Sequence, residues 1–282
     1  MSNFLYGANV HANGIRQHFL RYGGRGSPIL LVPGITSPAP TWGFVADALA
    51  VDHDVYVVDV RGRGLSASGP GLDYRLDACA ADLNALVDVL GLRHVTGLGH
   101  SMGARHLLRA VHEGRFERLV LVDPPVSGPG RRPYPTPLDW YVDSMALARR
   151  GASVDDLRPF VPTWTDSEIR LRAEWLHTCA ETAVLTSFRG FHEDDIHRDI
   201  ARLAIPALLM AAERGGVIED DDVAEIRSLC PAIGFTRIAH AGHMIPWDNL
   251  AGFLAAARRF IPGAQPVPRG ATPSQEKTDA GQ

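Results

Sequence analysis

Gly99-His100-Ser101-Met102-Gly103 sets a serine between two glycines, after the apolar stretch His94–Leu98 and before the helix-like run Ala104–His112. A strand that turns this sharply into a helix forces strained backbone angles, and the flanking residues must be small. The turn lifts Ser101 Oγ clear of the strand ends and leaves the Met102 N–H at a helix N-terminus, where it can donate to an anion. A serine hydroxyl is a poor nucleophile at neutral pH and needs an adjacent base. Of the twelve histidines, His243 has the matching context: Ala241-Gly242-His243-Met244-Ile245-Pro246-Trp247 follows a late strand and precedes the final helix. An acid must hold that histidine in one tautomer. Asp123, which ends the apolar run Leu119–Val122, is the candidate, with Glu219 and Asp220 as runners-up. Acyl transfer further requires two donors fixed before negative charge develops. Met102 N–H is one, and the turn Pro33-Gly34-Ile35-Thr36 offers Ile35 N–H as the other.

The elements that must position these groups are readable as apolar runs. Val10–Ala12 and Ile15–Tyr22 flank Asn13-Gly14, a dipeptide suited to a two-residue hairpin turn. Ile29–Val32, Val55–Val60, Leu119–Val122, Ala207–Ala211 and Thr236–Ala239 read as further strands, Ala78–Leu90 and Phe253–Phe260 as helices. Apolar strands separated by helix-length segments imply a mostly parallel sheet covered on both faces, an α/β class. Between Pro124 and Ala204 the rhythm breaks into Pro-rich turns and helical segments rich in Trp, Arg and His. Residues 1–125 and 205–262 are therefore read as the core and 126–204 as a helical cap over the strand ends. Residues 263–282, rich in Pro, Gly, Gln and charge, are expected to be disordered.

With 282 residues, 45% hydrophobic content and a net charge of −4, the chain is an ordinary soluble globule with no basic excess for nucleic acid. It has no apolar run near the roughly 20 residues of a membrane span, and its first residues lack the charged start and apolar core of a signal peptide. Cys79, Cys179 and Cys230 are odd in number and scattered, which reads as reduced thiols in a cytoplasmic protein. The spacing in His192-Glu193-Asp194-Asp195-Ile196-His197 is not that of a helical zinc pair, so no metal is expected. Arg61-Gly62-Arg63-Gly64-Leu65-Ser66 lacks the Lys-Ser/Thr ending of a phosphate loop and reads as a turn bracing the site.

On these residues the chain resembles the α/β-hydrolase superfamily, and more narrowly the N-formylmaleamate deformylase family. The narrower resemblance rests on Leu-Val-Pro-Gly-Ile-Thr-Ser-Pro at 31–38, Asp-Val-Arg-Gly-Arg-Gly-Leu-Ser at 59–66 and Val-Asp-Pro-Pro-Val-Ser-Gly-Pro-Gly-Arg-Arg at 122–132. Arg-Ala-Glu-Trp-Leu-His-Thr-Cys at 172–179 and the His243 segment add to it. Most members of the fold carry the orienting acid after the seventh strand, where this chain reads Ala212-Glu213-Arg214-Gly215-Gly216. In the usual strand order the sixth strand lies beside the serine strand, about 5 Å away, so Asp123 at its end reaches the histidine. The family places its acid there too.

The resemblance implies hydrolysis of N-formylmaleamate to maleamate and formate in aerobic nicotinate catabolism, through a formyl-serine and without a cofactor. A carboxylated substrate calls for a buried cation or hydroxyls. Arg131, Arg132 and Arg214 are candidates for a two-bond grip on it, with Thr36, Ser37 and His192 as further contacts. Two other readings keep the same residues: a carboxylesterase, enol-lactonase or carbon–carbon hydrolase, or a hydrolase-fold ligand receptor with slow turnover.

Overall fold

A computed structural model describes residues 2–263; the expected disordered tail, 263–282, lies outside them save for its first residue. Phe4–Ala12 (β1) and Ile15–Tyr22 (β2) form an antiparallel hairpin. Its turn, Asn13-Gly14, takes φ of 50° and 72°, the positive pair that suits the strands' own twist. Then follow Pro28–Val32 (β3), Gly43–Leu49 (α1), Asp54–Val58 (β4), Leu76–Val89 (α2), Val95–His100 (β5), Met102–Ala110 (α3) and Phe116–Val122 (β6). Five helices precede the next strand: Leu138–Arg149 (α4), Val154–Leu157 (α5), Asp166–Leu176 (α6), Glu181–Glu193 (α7) and Ile196–Ala201 (α8). The chain closes with Ala207–Ala212 (β7), Asp220–Leu229 (α9), Gly234–Ile238 (β8), Ile245–Asp248 (α10) and Leu250–Phe260 (α11).

The eight strands make one sheet in the order β1-β2-β4-β3-β5-β6-β7-β8, antiparallel as far as the β2–β4 pair and parallel from there on. Inner strands β3, β4 and β7 are buried on both sides, and their sequences are near-continuous apolar runs rather than alternating ones. Successive side chains still part to opposite faces. Ile29 and Leu31 pack with α1 and α11 on one face, while Leu30 and Val32 pack with α2 and α3 on the other. Residues of α4–α6 cover the Ser101 end of the strands and hold a small core of their own around Leu157, Val161, Trp164 and Ile169, while α7 and α8 pack into the main core. Stacking of Trp164 on Trp247, with ring centroids 4.7 Å apart and nearly parallel, fastens that layer to the sheet domain.

The glycine-rich turn after β4 braces the site as expected. Asp59 accepts from the Ala39 N–H at 2.6 Å and from Leu65 N–H at 3.0 Å, and Arg61 grips Asp82 with two nitrogens. Arg63, only 1% exposed, donates to the carbonyls of Ile35, Arg61 and Ala183 and to the Ser187 hydroxyl. The turn thus ties the Ile35 loop to α7.

His106 on α3 is 3% exposed, and burial pushes its pKa down to about 3. A base whose folded pKa falls below its unfolded value stabilises the fold above the unfolded value, and that stability is lost as pH falls below it. Denaturant unfolding measured between pH 7 and 5 is expected to show stability falling below about pH 6.5, by up to ~1.4 kcal/mol per pH unit for this group. His106→Gln should flatten the slope; an unchanged slope would mean the ring charges without cost.

Candidate active site

β5 ends at His100, and the chain turns at Ser101 with φ 53° and ψ −119° before α3 begins at Met102. Glycine is required on both sides for contact reasons. A Cβ on Gly103 would stand 2.0 Å from the Val32 carbonyl oxygen, and one on Gly99 2.6 Å from the backbone of Gly103 and Ala104. β5 pairs in parallel with β6, His100 opposite Val122, so the next residues, Ser101 and Asp123, leave the sheet side by side. Ser101 N–H donates to the Val122 carbonyl at 2.8 Å, and Asp123 N–H to that of Met210 at 2.8 Å. Asp123 also has a positive φ, 46°, which aims its 1%-exposed carboxylate across the strand ends.

His243 joins the two. Its Nδ1 lies 2.7 Å from Asp123 Oδ2, and its Nε2 lies 3.0 Å from Ser101 Oγ. Asp123 Oδ1 is filled by the Ala212 N–H at 3.0 Å. A carboxylate accepts only, so Nδ1 carries the proton and Nε2 presents a lone pair to the serine hydroxyl. His100 supports this from below. Burial holds its pKa down to about 3, so the neutral ring donates from Nε2 to the His243 carbonyl at 2.9 Å. The runner-up acids lie elsewhere: Glu219 caps α9, and Asp220 pairs with Arg237.

Met102 is the first residue of α3, and its N–H has no acceptor within the helix. Ile35 lies across from it in the turn after β3. Gly34, Ile35, Ser101 and His243 border a cavity of about 250 Å³, roofed by Trp140, Tyr141, Phe160 and Trp164. Thr36 and Ser37 line it as well.

The expected carboxylate contacts need correction. Arg131 pairs with Glu225, and Arg132 pairs with Asp222 and the carbonyls of Gly216 and Val217. Both stitch the loop after β6 to α9 instead of facing the cavity. Arg214 donates to the His240 carbonyl on the outer surface. His192 is spent within the helical layer: Nδ1 bonds the Phe188 carbonyl, and Nε2 accepts from the Tyr134 N–H. Charged residues near the triad in sequence found partners on the rim.

The cation that does line the cavity is Arg172. Thr165 and Glu168 cap α6 reciprocally, and Ile169, Arg172 and Leu176 form its buried stripe. An arginine at an apolar position of that stripe was the signal available in the sequence. Its surroundings differ from those of the other buried arginines. Arg105 feeds four carbonyls at 2.7–3.1 Å. Arg172, 3% exposed, has only Thr36, at 3.3 Å to the carbonyl and 3.3 Å to the hydroxyl; its Nε has no partner. Its guanidinium lies 5.3 Å and 5.9 Å from the rings of Trp140 and Trp164, and among the described residues no carboxylate pairs with it. Burial lowers its pKa to about 10, so it is charged at neutral pH.

Two tyrosines were also missed. Tyr134 Oη lies 3.3 Å from His243 Nε2 and 3.1 Å from Tyr141 Oη. Burial raises both phenol pKa values, so both keep their protons. Among the described residues no group of three His, Cys, Asp or Glu side chains is placed to hold a metal, and no helix is long and apolar enough to cross a membrane.

A family model described as the alpha/beta hydrolase fold matches residues 27–250. The chain belongs to the α/β-hydrolase family. This hydrolase is 60% identical over 263 residues to the N-formylmaleamate deformylase of Pseudomonas putida KT2440, covering 93% of this chain and 98% of that one. It superposes with TM-score 0.87 and 58% identity on the crystal structure of a serine-to-alanine variant of the N-formylmaleamic acid deformylase of Pseudomonas putida S16, covering 89% and 100% of the two chains. E-2-(acetamidomethylene)succinate hydrolase shares the fold at 22% identity, with TM-score 0.75 and 91% and 98% coverage.

An active-site fluorophosphonate should label this hydrolase at Ser101. Ser101→Ala is expected to abolish labelling, Asp123→Asn to slow it by about 10⁴, and Asp220→Asn to leave it unchanged. Full reactivity of Asp123→Asn would place the orienting acid elsewhere.

Proposed function

We propose that this hydrolase is an N-formylmaleamate deformylase of nicotinate catabolism, releasing maleamate and formate. Its 60% identity to the Pseudomonas putida deformylase across 98% of that protein carries the reading, and the geometry supplies a mechanism. Ser101 Oγ attacks the formyl carbon as His243 Nε2 takes its proton, with Asp123 steadying the imidazolium. The oxyanion lies against the N–H groups of Ile35 and Met102. His243 then protonates the nitrogen, because an amide anion is too poor a leaving group to depart unaided. Water, activated by the same imidazole, frees formate from the formyl-serine.

Arg172 is the group that would meet the substrate carboxylate. A buried guanidinium without a counter-ion is costly, and a planar carboxylate between the two tryptophans would satisfy it with two parallel bonds. A cavity of about 250 Å³ suits a substrate of about ten heavy atoms and falls below the usual range for larger ligands. A cytoplasmic site of action fits a soluble enzyme of this kind.

Purified protein is expected to release formate from N-formylmaleamate. Arg172→Met should lower kcat/KM by about 10²–10³, the usual cost of removing one partner of a buried charge pair, while Arg131→Met stays near wild type. Turnover of simple esters with no formate from N-formylmaleamate would sink the substrate assignment.

A further inference from the structure

We infer that Arg63 is a positioning residue of the oxyanion hole: it holds Ile35 and Met102 from behind and sets an unpaired positive charge beneath their N–H groups. The inference rests on the oxyanion placement in the reading above and adds a charged residue to it.

Two donors stabilise an oxyanion well only if they are fixed before the charge develops. In the turn after β3, the Gly34 carbonyl accepts from Ser37 N–H at 3.2 Å, and the Ile35 carbonyl accepts from Arg63 Nε at 3.1 Å. Neither Ile35 N–H nor Met102 N–H donates to another group among the described residues. The same guanidinium reaches the second donor, since Arg63 Nη2 lies 3.5 Å from Met102 Sδ. One side chain thus touches both residues whose N–H groups would meet the oxyanion, without itself lining the cavity.

Its remaining contacts are uncharged acceptors: the carbonyls of Arg61 and Ala183, and the Ser187 hydroxyl at 2.9 Å. The buried carboxylates of the neighbouring turn are engaged elsewhere, Asp59 with His18 and Asp82 with Arg61. Burial pushes the thiols of Cys79 and Cys179 up to about 12 and about 11, so neither is an anion. Burial lowers the Arg63 pKa as well, but from a guanidinium value above about 12, and a group ringed by acceptors keeps its proton. The charge therefore has no counter-ion. Its field reaches α3, where burial first and then this charge hold His106 neutral. The imidazolium formed in the acylation step is matched by Asp123, whereas the oxyanion has only two N–H groups and this cation. At about 10 Å, the reach set by covalent and hydrogen-bond geometry, and an effective dielectric near 20, a unit charge favours the oxyanion by about 15-fold.

The test supplies the missing counter-ion. Ser187→Asp puts a carboxylate against the guanidinium, and a void of about 10 Å³ beside residue 187 takes the added bulk. Ser187→Asn matches its size without the charge. Both leave Arg63 and its bond to Ile35 in place. Hydrolysis of p-nitrophenyl formate is expected to fall about tenfold in kcat in Ser187→Asp and less than about twofold in Ser187→Asn, with KM little changed. The hemiketal that Ser101 forms with phenyl trifluoromethyl ketone reads the field directly, because its carbon-13 shift follows ionisation of the oxyanion. The ionisation pH should rise by about one unit in Ser187→Asp, the equivalent of that tenfold, and hold still in Ser187→Asn. Arg63→Met should raise it as far, and Arg63→Lys, which keeps the charge, should not. Equal losses with Asp and Asn, or an ionisation pH that does not move, would overturn the inference, because Arg63 would then be a brace alone. A wild-type hemiketal that ionises no lower than the ketone hydrate in water would overturn the oxyanion placement and the inference with it. Neither ester nor ketone depends on N-formylmaleamate being the substrate, so a failed substrate assignment leaves the test intact.

Discussion

Parallel pairing of β5 with β6 is the constraint from which the site descends. Because His100 stands opposite Val122, the residues one step on emerge together at the sheet's carboxyl edge. Each takes a positive φ that a non-glycine residue adopts only against a cost of the order of 1 kcal/mol or more. Those costs are borne by the surrounding bonds: Ser101 N–H on Val122, Asp123 N–H on Met210, and Ala212 N–H on the carboxylate. A carboxylate on the strand next to the serine needs no reach from the following loop. The loop after β7, which carries Gly215-Gly216 in its middle, is then not needed to supply a carboxylate to His243.

Around this edge the protein manages buried positive charge in two ways. Arg63 and Arg105 are surrounded by carbonyl oxygens and act as cross-links, the first tying the Ile35 loop to α7 and the second tying α3 to the loop after β6 and to the end of α7. Arg172 lies over two tryptophan rings and is left short of acceptors. The same residue type thus serves as mortar in two places and faces the cavity in the third. Asp248 adds a further tie, accepting from Thr163 of the helical layer and from the Gly242 N–H beside His243.

How much of this could be read without coordinates follows from which contacts are local. The turn at Ser101, the hairpin at Asn13-Gly14 and the run into Asp123 are short-range patterns whose physics is contained in a few neighbouring residues. The approach of Asp123 to the serine strand was legible once strand order was assumed. Arg131, Arg214 and His192 were misplaced because nearness in sequence to the strand ends does not reveal which way a rim side chain turns, and each found a partner outside the cavity. Arg172, Tyr134 and Tyr141 come from two sides of the helical layer, and only its folding over the sheet brings them to the nucleophile. Arg172 did leave a trace, as a charge on an apolar helix stripe.

The placement of Arg172 has a consequence for the end of the catalytic cycle. Under the proposed function, the carboxylate it would hold is untouched by the chemistry and is present in substrate, tetrahedral adduct and maleamate alike. Binding energy of that kind is uniform along the reaction path, so it tightens the ground state without lowering the chemical barrier. The same grip would persist on the product beneath the aromatic roof. Maleamate, the first product of the acyl-serine sequence, must loosen that grip before water can reach the formyl-serine, and free maleamate would compete with substrate for the same guanidinium.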